Sequence, residues 1–340
     1  MVVMAGSALN GRVPPAAGAP PEDLRLALRA ATLYYLDGLT QAEVAARLGV
    51  SRPTAGRLVA RAKARGLVRI EVAVPDDQRD ALHADEEYAL ERAFGLTEAV
   101  VVGDNVDAVG PLDDHASWAG VGRAAARLLT RRLTESDRLG FTWGPETVAV
   151  ARALPTGAAA CRAIVQLDGA MTTGDYQSGS EYVLGRCAEQ LQAEPIRLPA
   201  PLYADAATVS SLRSDSMFSV ALEAGRTAAA MMFGVGPVST STTLFEGSYL
   251  DTAMLDTLTR QGAVGEIGGR FFAADGTILA TEMSDRTVSV ALEDIRACPK
   301  SLLVTGGAAK HEAALGALRG GFARLLICDI DCARWLLEQQ

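Results

Sequence analysis

Apolar residues recur at helical spacing near the start of the chain. Leu24, Ala27, Leu28, Ala31 and Tyr35 fall on one face of a helix that Asp37-Gly38 stops. Thr40 with Glu43 three residues on forms a capping box that opens a second helix, 41–48. Gly49 stands where a tight turn needs a left-handed residue, and Val50 packs inward. Ser51 caps a third helix, with Pro53 in its first turn where a missing N–H does no harm. Ala55, Leu58, Val59 and Ala62 give that helix a buried side to about Ala64, and Gly66 ends it. Residues 67–72 then alternate as a wing strand would.

Further on, Leu82, Glu86, Ala89, Leu90, Ala93 and Phe94 repeat at helical spacing. They predict a connecting helix over 76–94 with an acidic outer face, its apolar stripe packing on a sister subunit or on its own C-terminal domain. After Gly95 short β-rich runs alternate with helical stretches. The strands are expected at 99–102, 138–141, 163–167, 196–198, 229–234, 302–305 and 324–328. Helices are expected at 116–133, 146–153, 181–193, 216–224, 252–260, 310–318 and 332–338. This alternation predicts an α/β, doubly wound, mainly parallel sheet behind an N-terminal winged helix-turn-helix. Ligands of such sheets bind outside the carboxyl ends of the strands. Polar and glycine residues collect in the corresponding loops: Thr142-Trp143-Gly144, Gln166-Leu167-Asp168-Gly169, Gly234-Val235-Gly236 and Thr305-Gly306-Gly307.

Composition narrows the class. The 340 residues, 49% hydrophobic and 21% charged, suit about two globular domains. Apolar stretches such as 228–238 are short and broken by Gly and Pro, so no membrane-spanning helix is expected. Residues 1–21 lack a basic region and are rich in Ala, Gly and Pro, which reads as a disordered tail rather than a signal peptide. The five cysteines (Cys161, Cys187, Cys298, Cys328, Cys332) are scattered without a C-x-x-C pair, pointing to the reducing cytoplasm. Cys328 and Cys332 stand four apart with no histidine near them in sequence, so packing is their expected role. His83, His115 and His311 are far apart, and no metal cluster is expected. No G-x-G-x-x-G, Walker or catalytic-triad pattern occurs, so no cofactor is expected.

Net charge is −9, which as a single number argues against nucleic acid. Its distribution reverses that reading. Residues 22–71 hold nine basic and five acidic side chains, +4 in all, leaving −13 for the rest. Between Arg47 and Arg69 seven basic residues occur and no acid. A basic, acid-free second helix after a glycine turn is the layout of a DNA-binding helix-turn-helix, whose second helix enters the major groove by its N-terminal residues. Ser51, Arg52, Thr54 and Arg57 would face base edges or phosphates, with Arg61 further along the face. Thr40 and Gln41, at the N-terminus of the preceding helix, suit a phosphate. One such module reads few base pairs, so a homo-oligomer is expected.

The C-terminal half has one strand end with candidate chemistry, Val304-Thr305-Gly306-Gly307-Ala308-Ala309-Lys310. Backbone N–H groups, a helix start and a cation together suit an anion such as phosphate. Asp168, Asp205 and Glu266 could be paired acids of a hydrolase, acceptors for ligand hydroxyls, or helix caps.

Several blocks behind the helix-turn-helix resemble the SorC family of bacterial transcriptional regulators. They are Leu139-Gly-Phe-Thr-Trp-Gly144, Arg197-Leu-Pro-Ala-Pro201, 262–272, Val304 to Lys310, Ala317-Leu-Arg-Gly-Gly321 and Leu325-Leu-Ile-Cys-Asp329. The resemblance runs from about Leu24 to Leu337. It implies a C-terminal effector and oligomerisation domain, similar to sugar-phosphate isomerases and deaminases, that binds a sugar, polyol or sugar phosphate without transforming it. It also implies dimers or tetramers on operator DNA and, usually, relief of repression by the effector. The expected division is a tail 1–21, a DNA-binding domain 22–75, a linker helix 76–95 and the effector domain 96–340. Effector contacts implied by the resemblance are Thr142, Trp143, Gly144, Gln166, Asp168, Gly169, Glu266, Gly306, Gly307 and Lys310. The sequence departs from the family's pattern in one place. Where the family has a Ser or Thr that donates to a phosphate, ungapped alignment puts Glu146. Either Thr147 takes that role, or the effector is an unphosphorylated sugar or polyol whose hydroxyls Glu146 accepts. The rival reading is a sugar-phosphate isomerase or deaminase with a DNA-binding appendix, but none of the histidines falls in an expected strand-end loop, His311 coming closest.

Overall fold

The computed structural model describes residues 2–3, 21–70, 82–103, 106, 117–157, 160–170, 177–240, 243–246 and 250–340. The chain divides into two compact units, 1–75 and 76–340.

The first unit contains β1 (Val2–Val3), α1 (Pro21–Tyr35), α2 (Gln41–Leu48), α3 (Arg52–Ala64) and β2 (Arg69–Ile70). The capping box closes as expected: the Thr40 N–H donates to Glu43 Oε2 at 2.8 Å, and the Glu43 N–H to Thr40 Oγ1 at 3.3 Å. Gly49 turns the chain at φ +67°, and Ser51 Oγ accepts the Thr54 N–H. Ala27, Ala30, Leu33, Val44, Ala55, Leu58, Val59 and Ala62 close the three-helix core. Leu28, expected inside, is 37% exposed, because the stripe of α1 is rotated toward Ala30 and Leu33. Two expectations need correcting. Val2 and Val3 are not tail but pair antiparallel with Ile70 and Arg69, and within the described part of the expected strand 67–72 only Arg69–Ile70 is strand. Leu67 instead returns its N–H to Ala62 O to close α3. Residues 71–72 lie outside the described residues.

The second unit begins with α4 (Ala84–Phe94), β3 (Glu98–Val102), α5 (Ala119–Arg132), β4 (Arg138–Phe141) and α6 (Pro145–Ala153). Then come β5 (Ala163–Gln166), α7 (Gln177–Gln190), β6 (Glu194–Ile196), α8 (Ala206–Ser214), α9 (Ser216–Arg226) and β7 (Ala230–Phe233). A smaller layer follows, with β8 (Gly236–Pro237), α10 (Thr243–Glu246), α11 (Thr252–Arg260), β9 (Ala263–Ile267) and β10 (Arg270–Ala273). The chain closes with α12 (Leu292–Ala297), β11 (Lys300–Val304), α13 (His311–Arg319), β12 (Leu325–Asp329) and α14 (Ile330–Glu338). Seven strands form one all-parallel sheet in the order β3-β12-β11-β7-β4-β5-β6. Its inner strands β5, β7, β11 and β12 are buried on both sides, as two helical layers require, while the edge strand β6 is largely exposed. Leu302, Val304, Leu325 and Ile327 point into one core with α5 and α6, while Leu303, Leu326 and Cys328 point into the other with α4, α13 and α14. A second, antiparallel sheet, β10-β9-β8, was not foreseen; β8 is only two residues long.

The described part of the connecting helix starts at Ala84, and 76–81 lie outside the described residues. It packs on its own unit: Leu90 is fully buried in the core that includes α14. Its acidic residues do not all face outward. Glu91 Oε1 accepts the Ala99 N–H at 3.1 Å, and Glu87 Oε1 that of Val101 at 2.9 Å. β3 is an edge strand, and these carboxylates occupy donors that would otherwise invite another strand. Burial at that edge raises the Glu87 carboxyl above its usual range.

Candidate functional site

In the first unit, Thr40, Gln41, Ser51, Arg52, Arg57 and Arg61 are exposed and Thr54 is half-buried. The Ser51 and Thr54 hydroxyls are 2.8 Å apart, and Arg57 Nη2 donates to Thr54 Oγ1 at 3.2 Å. The Gln41 side chain lies over Gly56, where a Cβ would meet Oε1 at 3.2 Å. Arg61 pairs with Asp23 at 3.3 Å, an exposed pair worth little in water. The α3 face opposite its buried stripe is thus a cationic surface.

In the second unit, the winding direction of the parallel sheet reverses between β4 and β7. From β4 the chain steps outward to β5 and β6, and from β7 the other way to β11 and β12. The carboxyl ends at such a reversal open a crevice. Four of the residues expected from sequence meet there. Small residues set the position of α6: Gly122 of α5 lies so close to it that a Cβ would sit 2.7 Å from Ala149 O. The α6 N-terminus then points Glu146, 1% exposed, back under the strand ends. A Cβ on Gly144 would meet Glu146 Oε2 at 2.7 Å, and one on Gly234 its Cδ at 2.6 Å, so both glycines leave the room this carboxylate fills. Lys310, on the turn entering α13, forms an ion pair with Glu146 and lies 5.1 Å over the Trp118 ring. Burial lowers the Lys310 ammonium to about 7, which the adjoining carboxylate opposes.

Two further carboxyls face each other across this end of the sheet. Asp168 accepts the Trp143 N–H on both oxygens at 3.2 Å, and Glu266 accepts the Gly269 N–H at 2.7 Å. Burial, and then the charge of Glu266, raises Asp168 well above the usual carboxylate range. Burial alone raises Glu266 to about 7. Tyr203 gives its hydroxyl to Gly269 O at 3.1 Å, and burial and both acids raise it. Asp205, the third acid considered, is exposed at the start of α8. Gln166 Nε2 donates to Asp168 O at 2.8 Å. Gly169 lets two chain segments cross, since a Cβ there would meet Pro201 O at 2.3 Å.

A carboxyl raised in this way makes stability depend on pH. Between its usual value and about 7, the folded state keeps a proton that the unfolded chain has lost, so stability falls as pH rises through that window. Glu266→Gln keeps an acceptor for Gly269 and removes the charge. It is expected to leave stability unchanged near about pH 5 and raise it above about pH 7, by about 3 kcal/mol at most. Urea denaturation at both pH values checks this, and an equal effect at the two would contradict it.

Two expectations about the anion-binding groups are corrected. The Gly307 N–H is not free: it donates to Asp329 Oδ2 at 2.8 Å, beside the Val106 N–H at 3.0 Å. Gly306 permits this approach, for a Cβ there would lie 2.9 Å from Asp329 Oδ2. Nor is Thr147 available as a donor, since its hydroxyl is shared between Thr142 O at 2.9 Å and Gly144 O at 3.0 Å. Cys328 and Cys332 are buried in the core, and Cys332 has a histidine near it in space though not in sequence. Folding brings His311 beside Cys332 and Asp329, with one donor atom of each within 4.8 Å of the others. Such a trio could hold a metal, but the Asp329 carboxylate is already clasped by three N–H groups, the third from Cys332 at 2.8 Å. Trp118, Tyr203, Gly234 and Asp329 were not foreseen as site residues. Asp329 lies in a block the sequence singled out and Gly234 in a noted loop, whereas nothing local marks Trp118 or Tyr203.

Comparison with known proteins agrees with this architecture. Residues 80–338 match the Sugar-bind family of sugar-binding domains, and residues 30–80 match the MarR family. The deoxyribonucleoside regulator of Bacillus subtilis is 33% identical over 319 residues, covering 93% of this chain and 98% of that protein. The sorbitol operon regulator of Klebsiella pneumoniae is 26% identical over 322 residues, covering 93% and 99%. The crystal structure of that full-length regulator, SorC, superposes with a TM-score of 0.67 at 25% identity over 93% of this chain and 99% of that one. Neither relative is an enzyme by name. From its helix-turn-helix to its doubly wound domain, the chain belongs to the SorC family of bacterial transcriptional regulators.

Proposed function

We propose that this protein is a cytoplasmic repressor of sugar or polyol catabolism that binds operator DNA as a homo-oligomer and leaves it when a small effector fills the second unit. The observation that carries the reading is the convergence of Glu146, Asp168, Glu266 and Lys310 at the strand-end crevice of a chain whose other unit bears an arginine-rich recognition helix. Arg52, Arg57 and Arg61, with Ser51, Thr54, Thr40 and Gln41, hold the DNA. Thr142, Trp143, Gly144, Glu146, Thr147, Gln166, Asp168, Gly169, Glu266, Gly306, Gly307 and Lys310 build the effector pocket, with Thr147, Gly169, Gly306 and Gly307 shaping it rather than donating to the ligand. No described helix is long and apolar enough to cross a membrane.

Gel-shift titration on DNA from upstream of the chain's own gene tests this. A retarded band is expected, and one sugar or polyol among a panel containing sorbitol, deoxyribose and their phosphates is expected to release it. DNA binding unchanged by every member, with no shift in thermal midpoint by any, would refute effector control.

A further inference from the structure

An anion cradle at this end of the sheet would use three things: the Gly306-Gly307 N–H groups, the lysine at the start of α13, and a hydroxyl in the first turn of α6. In this chain the Gly307 N–H, the hydroxyl and the lysine are already engaged from within. The Gly307 N–H donates to Asp329, and the Thr147 hydroxyl to Thr142 O and Gly144 O. The Lys310 ammonium is paired with Glu146. Pro145, first in α6, has no N–H to offer. The place next to Lys310 that an external anion would take therefore holds a side-chain carboxylate, 1% exposed and fitted between Gly144 and Gly234.

The rest of the crevice adds acceptors. Asp168 feels the negative charge of Glu266, and among the described residues no cation counters either acid. Arg270 runs nearby, but its Nε donates to Ser289 Oγ and Val290 O and its Nη2 to Ser289 O. The sequence between 104 and 116, 171 and 176, and 241 and 249 contains no lysine or arginine. A phosphate dianion would have to enter among three carboxyl groups and displace one of them from its lysine. A neutral polyhydroxy compound brings O–H donors that the same carboxyl groups accept.

We propose that Glu146 is the resident anion of this pocket, and that the effector is a polyhydroxy compound carrying no phosphate, held through its hydroxyls by Glu146, Asp168 and Glu266. This rests on the reading of the crevice as the effector pocket. It gives Glu146 a specific duty, closing the pocket to phosphorylated ligands.

Thermal-shift and calorimetric titrations of the full chain with inorganic phosphate, against chloride at matched ionic strength, test it without knowledge of the effector. The wild type is expected to show no phosphate-specific stabilisation. Glu146→Gln and Glu146→Ser should each bind phosphate at least about tenfold more tightly than the wild type, by freeing Lys310 and removing the repulsion. Adding Lys310→Met to either should abolish the gain. Wild-type phosphate binding that Lys310→Met removes would overturn the proposal. So would operator release by sorbitol 6-phosphate or deoxyribose 5-phosphate but not by the free compound, an outcome that leaves effector control itself standing. Release by only the free member of a pair supports the proposal. If circular dichroism finds both Glu146 variants unfolded, these wild-type arms still decide.

Discussion

Replacing Arg52 and Arg57 together by alanine is expected to weaken operator binding by at least about a hundredfold while leaving the fold and effector binding intact. Each arginine stands to lose either a bidentate base contact, about 1–3 kcal/mol, or a phosphate contact. Both side chains are exposed on α3, away from the stripe of Ala55, Leu58, Val59 and Ala62 that fixes the helix to its core. Truncation therefore removes no buried area, and the thermal midpoint should hold. Arg57 also grips Thr54 Oγ1 at 3.2 Å, so its loss frees the hydroxyl beside it as well. The slope of log affinity against log salt should shrink by up to about one for each arginine that touches phosphate. A double variant that binds operator like the wild type would remove α3 from the DNA interface. An unchanged salt slope with relaxed sequence preference would instead assign both arginines to bases.

What the sequence made legible follows from how local the determinants are. The Thr40–Glu43 box, Gly49 and the Ser51 cap each lie within a few residues of what they control, and the two helices they bound start and stop where expected. Six strands of the parallel sheet were also legible, because burial on both faces leaves continuous apolar runs such as Leu302-Leu303-Val304, whereas the exposed edge strand β6, expected at 196–198, lies at Glu194–Ile196. The β8–β10 sheet was not, since strands as short as Gly236-Pro237 carry no periodicity. The candidate site divides in the same way. Strand-end loops announce themselves by glycine and polar residues, so the positions of Thr142, Asp168 and Lys310 beyond β4, β5 and β11 were legible. What those residues do depends on partners far away in sequence. Glu146 meets Lys310 across 164 positions, and Gly307 meets Asp329 across 22. A motif that offers free N–H groups and a free lysine in one dimension has, in three, its Gly307 N–H and its Lys310 already taken.

That satisfaction has a measurable consequence. Lys310→Met leaves the Glu146 carboxylate buried without its cation, and about 3–5 kcal/mol of stability is expected to go with it. Glu146→Leu should be milder. The orphaned Lys310, already lowered to about 7, can release its proton rather than stay charged. Without Glu146, its folded-state value lies below the ordinary 10.5, so between the two the unfolded chain holds more protons and stability climbs with pH. The Glu146→Leu defect should thus shrink from neutral toward alkaline pH, while the Lys310→Met defect should not. The double variant Glu146→Leu/Lys310→Met replaces the pair by apolar groups of similar volume and should return to within about 1 kcal/mol of the wild type. Urea denaturation of all four chains completes the cycle, and a double variant that loses the sum of the two singles would show that the residues do not act as a pair. If the double variant is as stable as the wild type yet no longer releases operator, the fold has no need of the charges. They would then be kept for the ligand they admit and the one they turn away.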